Sequence, residues 1–368
     1  MTVHYPQKRV FHLMCIKRNR PCPLEKGRAL YKCNDNVYHN IMIVKKEEKA
    51  GVMIYTIRED KSEAEIDKRA GSKLTEKDRN NMFIIDHDAD VFLEDGTMLI
   101  RFRKNKLNKE HVDAFWDNVI QFARKETANR GTASGSKVKN MKNNPKIKSN
   151  IIGYFDTLAP SQKLMLSRAG IKLDMSARET SFLRDYPEQY EKLVPLVKDI
   201  DKYYAKYAPD HYAKQRKKAN ETHFKIKDTA FTTITTNVNF QTSLHKDKGD
   251  DGDGFGNLAV IERGKYSGAE TCFPQFGVGV DCRTGDVLFM DVHYWHSNLP
   301  MKKLTADAER LSIVCYLRWR LWEYTRGKTL KQMKEHIAKI HNTAKKTQVV
   351  DRKNTKKSGG NKTHKNWW

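Results

Sequence analysis

The sequence predicts an α+β fold, with helices around one hairpin in its first two thirds and a β-rich region in its last third. Apolar residues recur at helical spacing over 108–123 and again over 186–207. From Thr229 onward, β-branched residues alternate with other side chains, the period of a strand. Between these, residues 91–103 alternate around Asp95-Gly96, a favoured hairpin turn.

Residues 1–75 form an accessory segment, with β-like runs at 40–44 and 52–57 and a charged helix near 62–69; no chemistry attaches to it. Residues 76–325 are the expected main domain, whose β core spans about 229–320. In the helix over 108–123, Asn108 is the N-cap, and Val112, Phe115, Val119 and Phe122 share the core face. Helices over 161–169 and 186–207 pack outside the β core. Residues 326–368 form a basic tail, with a short helix over 329–340 before a frayed end at Trp367-Trp368.

The most informative feature is His245-Lys246-Asp247, with His296 49 residues beyond Asp247 and Arg310-Leu311-Ser312 after it. In a strand, residues i and i+2 share a face, so His245 and Asp247 reach one metal together. Folding must bring the third ligand from a neighbouring strand. The turn and buried run Gly285 to Met290 deliver the chain to His296, with His293 a rival three residues earlier. Two imidazoles and one carboxylate are the facial ligand set of non-haem Fe(II) oxygenases, which leaves positions for a 2-oxo acid and dioxygen. Arg310 and Ser312 share a strand face, where a guanidinium fork and a hydroxyl suit a distal carboxylate.

Other motifs fall away. Asp251 to Gly256 with Glu262 mimics an EF-hand, but Phe255 stands at a ligand position and the flanks read as strands. No Gly-Lys-Ser/Thr follows these glycines, so they do not make a phosphate loop. Cys15, Cys22 and Cys33 with His12 and His39 have zinc-binding side chains but no CxxC spacing, and read as reduced thiols in a small domain.

The stretch from Phe231 to Arg320 resembles the TET/JBP family of DNA-modifying 2-oxoglutarate dioxygenases. The resemblance rests on Thr232 to Phe240, His245 to Asp250, Trp295-His296-Ser297-Asn298 and Arg310 to Tyr316. A weaker similarity reaches back to about Asp86 through Asn129-Arg130-Gly131 and Ile152 to Phe155. It implies a double-stranded β-helix (jelly-roll) core flanked by helices. By position, His245, Asp247 and His296 would ligate Fe(II), Arg310 would bind 2-oxoglutarate, and dioxygen would oxidise the 5-methyl group of a pyrimidine in DNA. An acid three residues after the metal aspartate, here Asp250, lies near the target base in such proteins. Arg318 stands where some relatives place a base-contacting histidine, which leaves thymine open beside 5-methylcytosine. Ser297 replaces a frequent glycine. Asp250, Asn237, Asn239 and Arg318 are the candidates for the base pocket.

Charge agrees with a nucleic-acid partner. The chain carries 69 Lys and Arg against 45 Asp and Glu, a net +24, which favours polyanions. Twelve basic residues face two acids between Lys328 and Trp368, and eight face one between Arg124 and Asn150, a polar loop expected to order on DNA. A methyl group within a duplex must be flipped out to enter a barrel. No apolar run of membrane length and no secretory h-region is present, so an intracellular monomer without a membrane partner is expected. Ascorbate is an expected stimulant. The alternative is a 2-oxoglutarate hydroxylase acting on a protein or a small molecule.

Overall fold

The structure is a computed structural model that describes residues 29–32, 38–41, 43–128, 130–135, 145–158, 160–170 and 176–357. Along the chain come strands β1 (Ile43–Lys49), β2 (Val52–Ile57), β3 (Phe83–Ile85), β4 (Ala89–Leu93), β5 (Met98–Arg103), β6 (Ser149–Phe155) and β7 (Thr233–Val238). They continue with β8 (Gly256–Arg263), β9 (Thr271–Phe273), β10 (Val278–Val280), β11 (Val287–Met290), β12 (Ser297–Asn298) and β13 (Glu309–Tyr316).

Strands β7, β13, β8 and β11 lie side by side and antiparallel within a ten-stranded sheet. Facing them, β12, β9 and β10 form a smaller sheet, which β3 joins in parallel. The segment after β7 enters the small sheet where His245 pairs with His296. The chain thus passes back and forth between two sheets, with β9 and β10 a consecutive pair. This is the winding of a double-stranded β-helix.

A period of two sorts the side chains. Ala259 and Ile261 of β8, Val287 and Phe289 of β11, and Leu311, Ile313 and Cys315 of β13 point out of the barrel. They pack against helices Lys109–Ala123 and Pro187–Tyr207 through Phe115, Val119, Leu196, Val197 and Tyr204. Their alternates Leu258, Val260, Leu288 and Met290 meet Phe273 and Val278 of the small sheet between the layers. Each such burial contributes roughly 1.5–3 kcal/mol, so a one-residue slip would be prohibitive and the register is fixed. The same alternation turns Arg310, Ser312 and Tyr316 inward.

The helical expectations over 108–123, 161–169 and 186–207 correspond to Lys109–Ala123, Pro160–Arg168 and Pro187–Tyr207. Asn108 caps the first by accepting from the Glu110 N–H at 2.7 Å. Helix Pro209–Asn220 was not legible, because it buries only Gln215 and Ala219 and so lacks an apolar stripe. The tail helix runs over Leu330–Lys357, beyond the expected end at 340, and docks Met333 and Ile337 beside Phe224 and Leu321.

Strands β1 and β2 extend the large sheet through a parallel pairing of β2 with β4. Helix Glu63–Asp67 begins in a capping box between Ser62 and Glu65. Beyond it, the Gly71 N–H bonds Leu244 O at 2.9 Å and the Leu244 N–H bonds Ser72 O at 2.8 Å. The stretch that carried no chemistry therefore braces the residue next to His245. Lys218 supplies a positive charge between Asp251 and Asp253, the acids of the EF-hand-like run. Cys15, Cys22, Cys33, His12 and the terminal Trp367-Trp368 lie outside the described residues, as do residues 136–144 of the basic loop. Among the described residues, no helix is long and apolar enough to cross a membrane.

Candidate active site

His245, Asp247 and His296 meet at one end of the barrel, with one donor atom from each lying within 4.8 Å of the others. The backbones of His245 and His296 exchange two hydrogen bonds of 3.0 Å, and the Asp247 N–H bonds Val292 O at 3.0 Å. Asp247 Oδ1 stands 3.6 Å from His245 Nε2, and Oδ2 stands 3.7 Å from His296 Nε2. Each ring donates from Nδ1 to a backbone carbonyl, Ser243 O at 2.7 Å and Tyr294 O at 3.0 Å. That fixes the tautomers and leaves both Nε2 lone pairs aimed at the carboxylate, as in metal-binding histidines whose other ring nitrogen is held by a carbonyl. Burial and the neighbouring His296 hold His245 down at about 4, so the ring is neutral near pH 7. Against the opposing effect of burial, the two histidines keep the Asp247 carboxyl below its ordinary range. The donor set, its tautomers and its charge fit a divalent first-row metal.

His293 stands apart from this cluster. Its Nδ1 lies 2.9 Å from Asp291 Oδ1, and the ring also bonds the backbone of Asp250. It fastens the loop rather than joining the donors.

The cavity over the three donors reaches Arg310 and Ser312. Arg310 is 6 % exposed, makes no ion pair among the described residues, and has a buried Nε without a hydrogen-bond partner. A desolvated guanidinium so placed calls for an anion, and a dicarboxylate spanning from the donor cluster supplies one. Ser312 Oγ accepts from Asn237 Nδ2 at 3.2 Å, and Ser149 Oγ donates to Asn237 Oδ1 at 2.6 Å. Asn237 therefore lines the cavity with its amide committed to the Arg310–Ser312 end.

The structure does not bring Asn239 into the cavity. The strand stops at Val238, and Asn239 takes φ +49°, so the alternation that pairs it with Asn237 breaks. Its Oδ1 accepts from the Arg310 N–H at 2.7 Å instead.

Asp250 and Arg318 do line the cavity, and their backbones form a bridge. Burial, then the Asp247 charge, pushes the Asp250 carboxyl well above the carboxylate range. Arg318 donates from Nε to Asp156 Oδ1 at 3.0 Å and from Nη2 to Asp156 Oδ2 at 3.1 Å. Its guanidinium also lies 4.5 Å from the Phe155 ring centroid. Sequence reasoning missed Asp156, although it directly follows the Ile152 to Phe155 stretch. It also gave no role to Arg130, which donates to Ser149 Oγ at 2.6 Å and Thr235 Oγ1 at 2.9 Å inside the same cavity. The only sign of Arg130 was its place in Asn129-Arg130-Gly131.

Residues 170–319 match the Tet_JBP model, described as the oxygenase domain of the 2OGFeDO superfamily. The chain is 34% identical over 179 residues to the bifunctional helicase and thymine dioxygenase JBP2 of Trypanosoma cruzi, and 33% identical over 177 residues to the thymine dioxygenase JBP1 of Trypanosoma brucei brucei. Each alignment covers 48% of this chain but only 15% and 20% of the respective relative. A solved structure described as NgTET1 in complex with 5mC DNA is 14% identical, with 76% of this chain and 99% of that chain covered at a TM-score of 0.44.

Proposed function

From a chain whose residues 170–319 match the Tet_JBP oxygenase-domain model, we propose an Fe(II)- and 2-oxoglutarate-dependent dioxygenase that oxidises the 5-methyl group of a pyrimidine in DNA. The observation that carries the reading is the cavity itself, in which three metal donors and a buried Arg310, its Nε without a hydrogen-bond partner among the described residues, face one space. The relatives' description as thymine dioxygenases favours thymine over 5-methylcytosine.

His245, Asp247 and His296 would hold the iron, and Arg310 with Ser312 would hold the far carboxylate of 2-oxoglutarate. Iron with 2-oxoglutarate and dioxygen supplies the oxidising power to hydroxylate a C–H bond, releasing succinate and carbon dioxide. The chain's residues bind, orient and exclude water. The two backbone carbonyls keep His245 and His296 in one tautomer, and the Ser149–Asn237–Ser312 chain holds the hydroxyl in place. Asp250 and Arg318, which line the same cavity, offer an acceptor or acid and a fixed cation to the edge of a flipped base. A net charge of +24 supports association with the phosphate backbone. Such a protein works where DNA is, inside the cell, and ascorbate serves it as a reductant.

The test is nucleoside mass spectrometry after incubation with Fe(II), 2-oxoglutarate, ascorbate and duplex DNA carrying 5-methylcytosine. New 5-hydroxymethyluracil or 5-hydroxymethylcytosine, absent with His245→Ala, supports the reading and names the base. Iron-dependent succinate formation without an oxidised base would overturn it in favour of a protein or small-molecule hydroxylase.

A further inference from the structure

We propose that Trp319 is a stacking platform for duplex DNA at the mouth of the cavity, covering the base step opened when the target base leaves the helix. The inference rests on the DNA reading above and adds the surface that would meet the duplex. Among the residues whose side chains are described, Trp319 is the one aromatic that is exposed, at 36 %. Its position is not incidental. It follows Arg318, which lines the cavity, and its N–H bonds the carbonyl of Gly249, which lines the cavity too, at 3.3 Å. Its indole Nε1 donates to Lys248 O at 3.2 Å. The ring is thus pinned to the outer side of the Lys248–Asp250 lip rather than buried for packing.

Two further properties suit a stacked base. The indole N–H is already satisfied, so the exposed part of the ring is apolar surface held in one orientation, and little order remains to be imposed on binding. Cations flank it, with Lys248 exposed and the Arg320 guanidinium 5.9 Å from the Trp319 ring centroid. An aromatic face bordered by cations suits a nucleotide, whose base stacks while its phosphates meet the charges. Extracting a base leaves an unstacked neighbour, and an apolar side chain at the mouth restores the lost contact.

The experiment uses the full chain with Fe(II) and 2-oxoglutarate under anaerobic conditions, and a duplex with one 5-methylpyrimidine flanked by 2-aminopurine. Trp319→Ala should weaken binding by about ten-fold or more and abolish the stacking quench of 2-aminopurine, whereas Trp319→Phe should restore most of both. The slope of log Kd against log salt should stay at the wild-type value in both variants, because no phosphate contact is removed. A cooperative melt for each variant establishes folding. Wild-type affinity and wild-type quench in Trp319→Ala would overturn the proposal while leaving the oxygenase reading intact. Failure of the wild type to bind any duplex would overturn both.

Discussion

Asp156, only 1 % exposed, holds Arg318 by two parallel hydrogen bonds and thereby sets the remaining guanidinium nitrogen, Nη1, against Gly249 at the edge of the cavity. A Cβ at position 249 would stand 2.2 Å from that nitrogen. Bidentate pairs fix direction as well as charge, so Asp156 is a positioning residue that acts through Arg318. Asp156→Asn should raise KM for DNA by about ten-fold, while the affinity for 2-oxoglutarate stays unchanged. Gly249→Ala should shift the same parameter by displacing the guanidinium. Steady-state kinetics with each substrate varied in turn checks both; a matching loss in 2-oxoglutarate affinity would contradict the assignment.

A metal test needs no DNA. Two imidazoles and one carboxylate, preorganised within 4.8 Å, should bind Mn(II) or Fe(II) at neutral pH and raise the melting temperature. The rise should disappear with His245→Ala and His296→Ala but persist with His293→Ala. Differential scanning calorimetry with and without a chelator decides the matter.

Arg310 is buried without a protein partner for its Nε, so it is unfavourably solvated until a carboxylate arrives. Arg310→Lys should raise KM for 2-oxoglutarate by about ten- to a hundred-fold, because an ammonium cannot form the bidentate fork. The melting temperature should fall, because an ammonium is more strongly hydrated than a guanidinium and costs more to bury. Succinate formation across a 2-oxoglutarate titration measures the first effect and a thermal melt the second.

His293 yields a pH prediction. Its hydrogen bond to Asp291 leads the effects that raise its affinity for a proton, and the bond to the Asp250 backbone adds to them. A raised folded-state value means a stabilisation fully present below the unfolded value near 6.5. It is lost as pH rises through the higher folded value. The difference in melting temperature between wild type and His293→Gln should therefore shrink steadily from about pH 6 toward pH 9. A difference that grows with pH would reverse the sign and refute the assignment.

Some of this protein was determined by local sequence alone. The helix over Lys109–Ala123, its Asn108 cap, the hairpin turn at Asp95-Gly96 and the i, i+2 geometry of His245 and Asp247 depend on neighbours a few residues apart, and periodicity reports them directly. The inward face of β13 was legible for the same reason: Leu311, Ile313 and Cys315 had to be buried against the helices, which left Arg310 and Ser312 facing the cavity. The sequence also favoured His296 over His293, and strand pairing accounts for it, since His296 exchanges backbone hydrogen bonds with His245. Two things were decided only by the tertiary structure. Asn239 left the pocket because a left-handed backbone ended the strand one residue early. Asp156 gained its function from a partner 162 residues away. Alternation along one strand fixes which way a side chain points, but not what stands opposite; that depends on which distant segments fold against it.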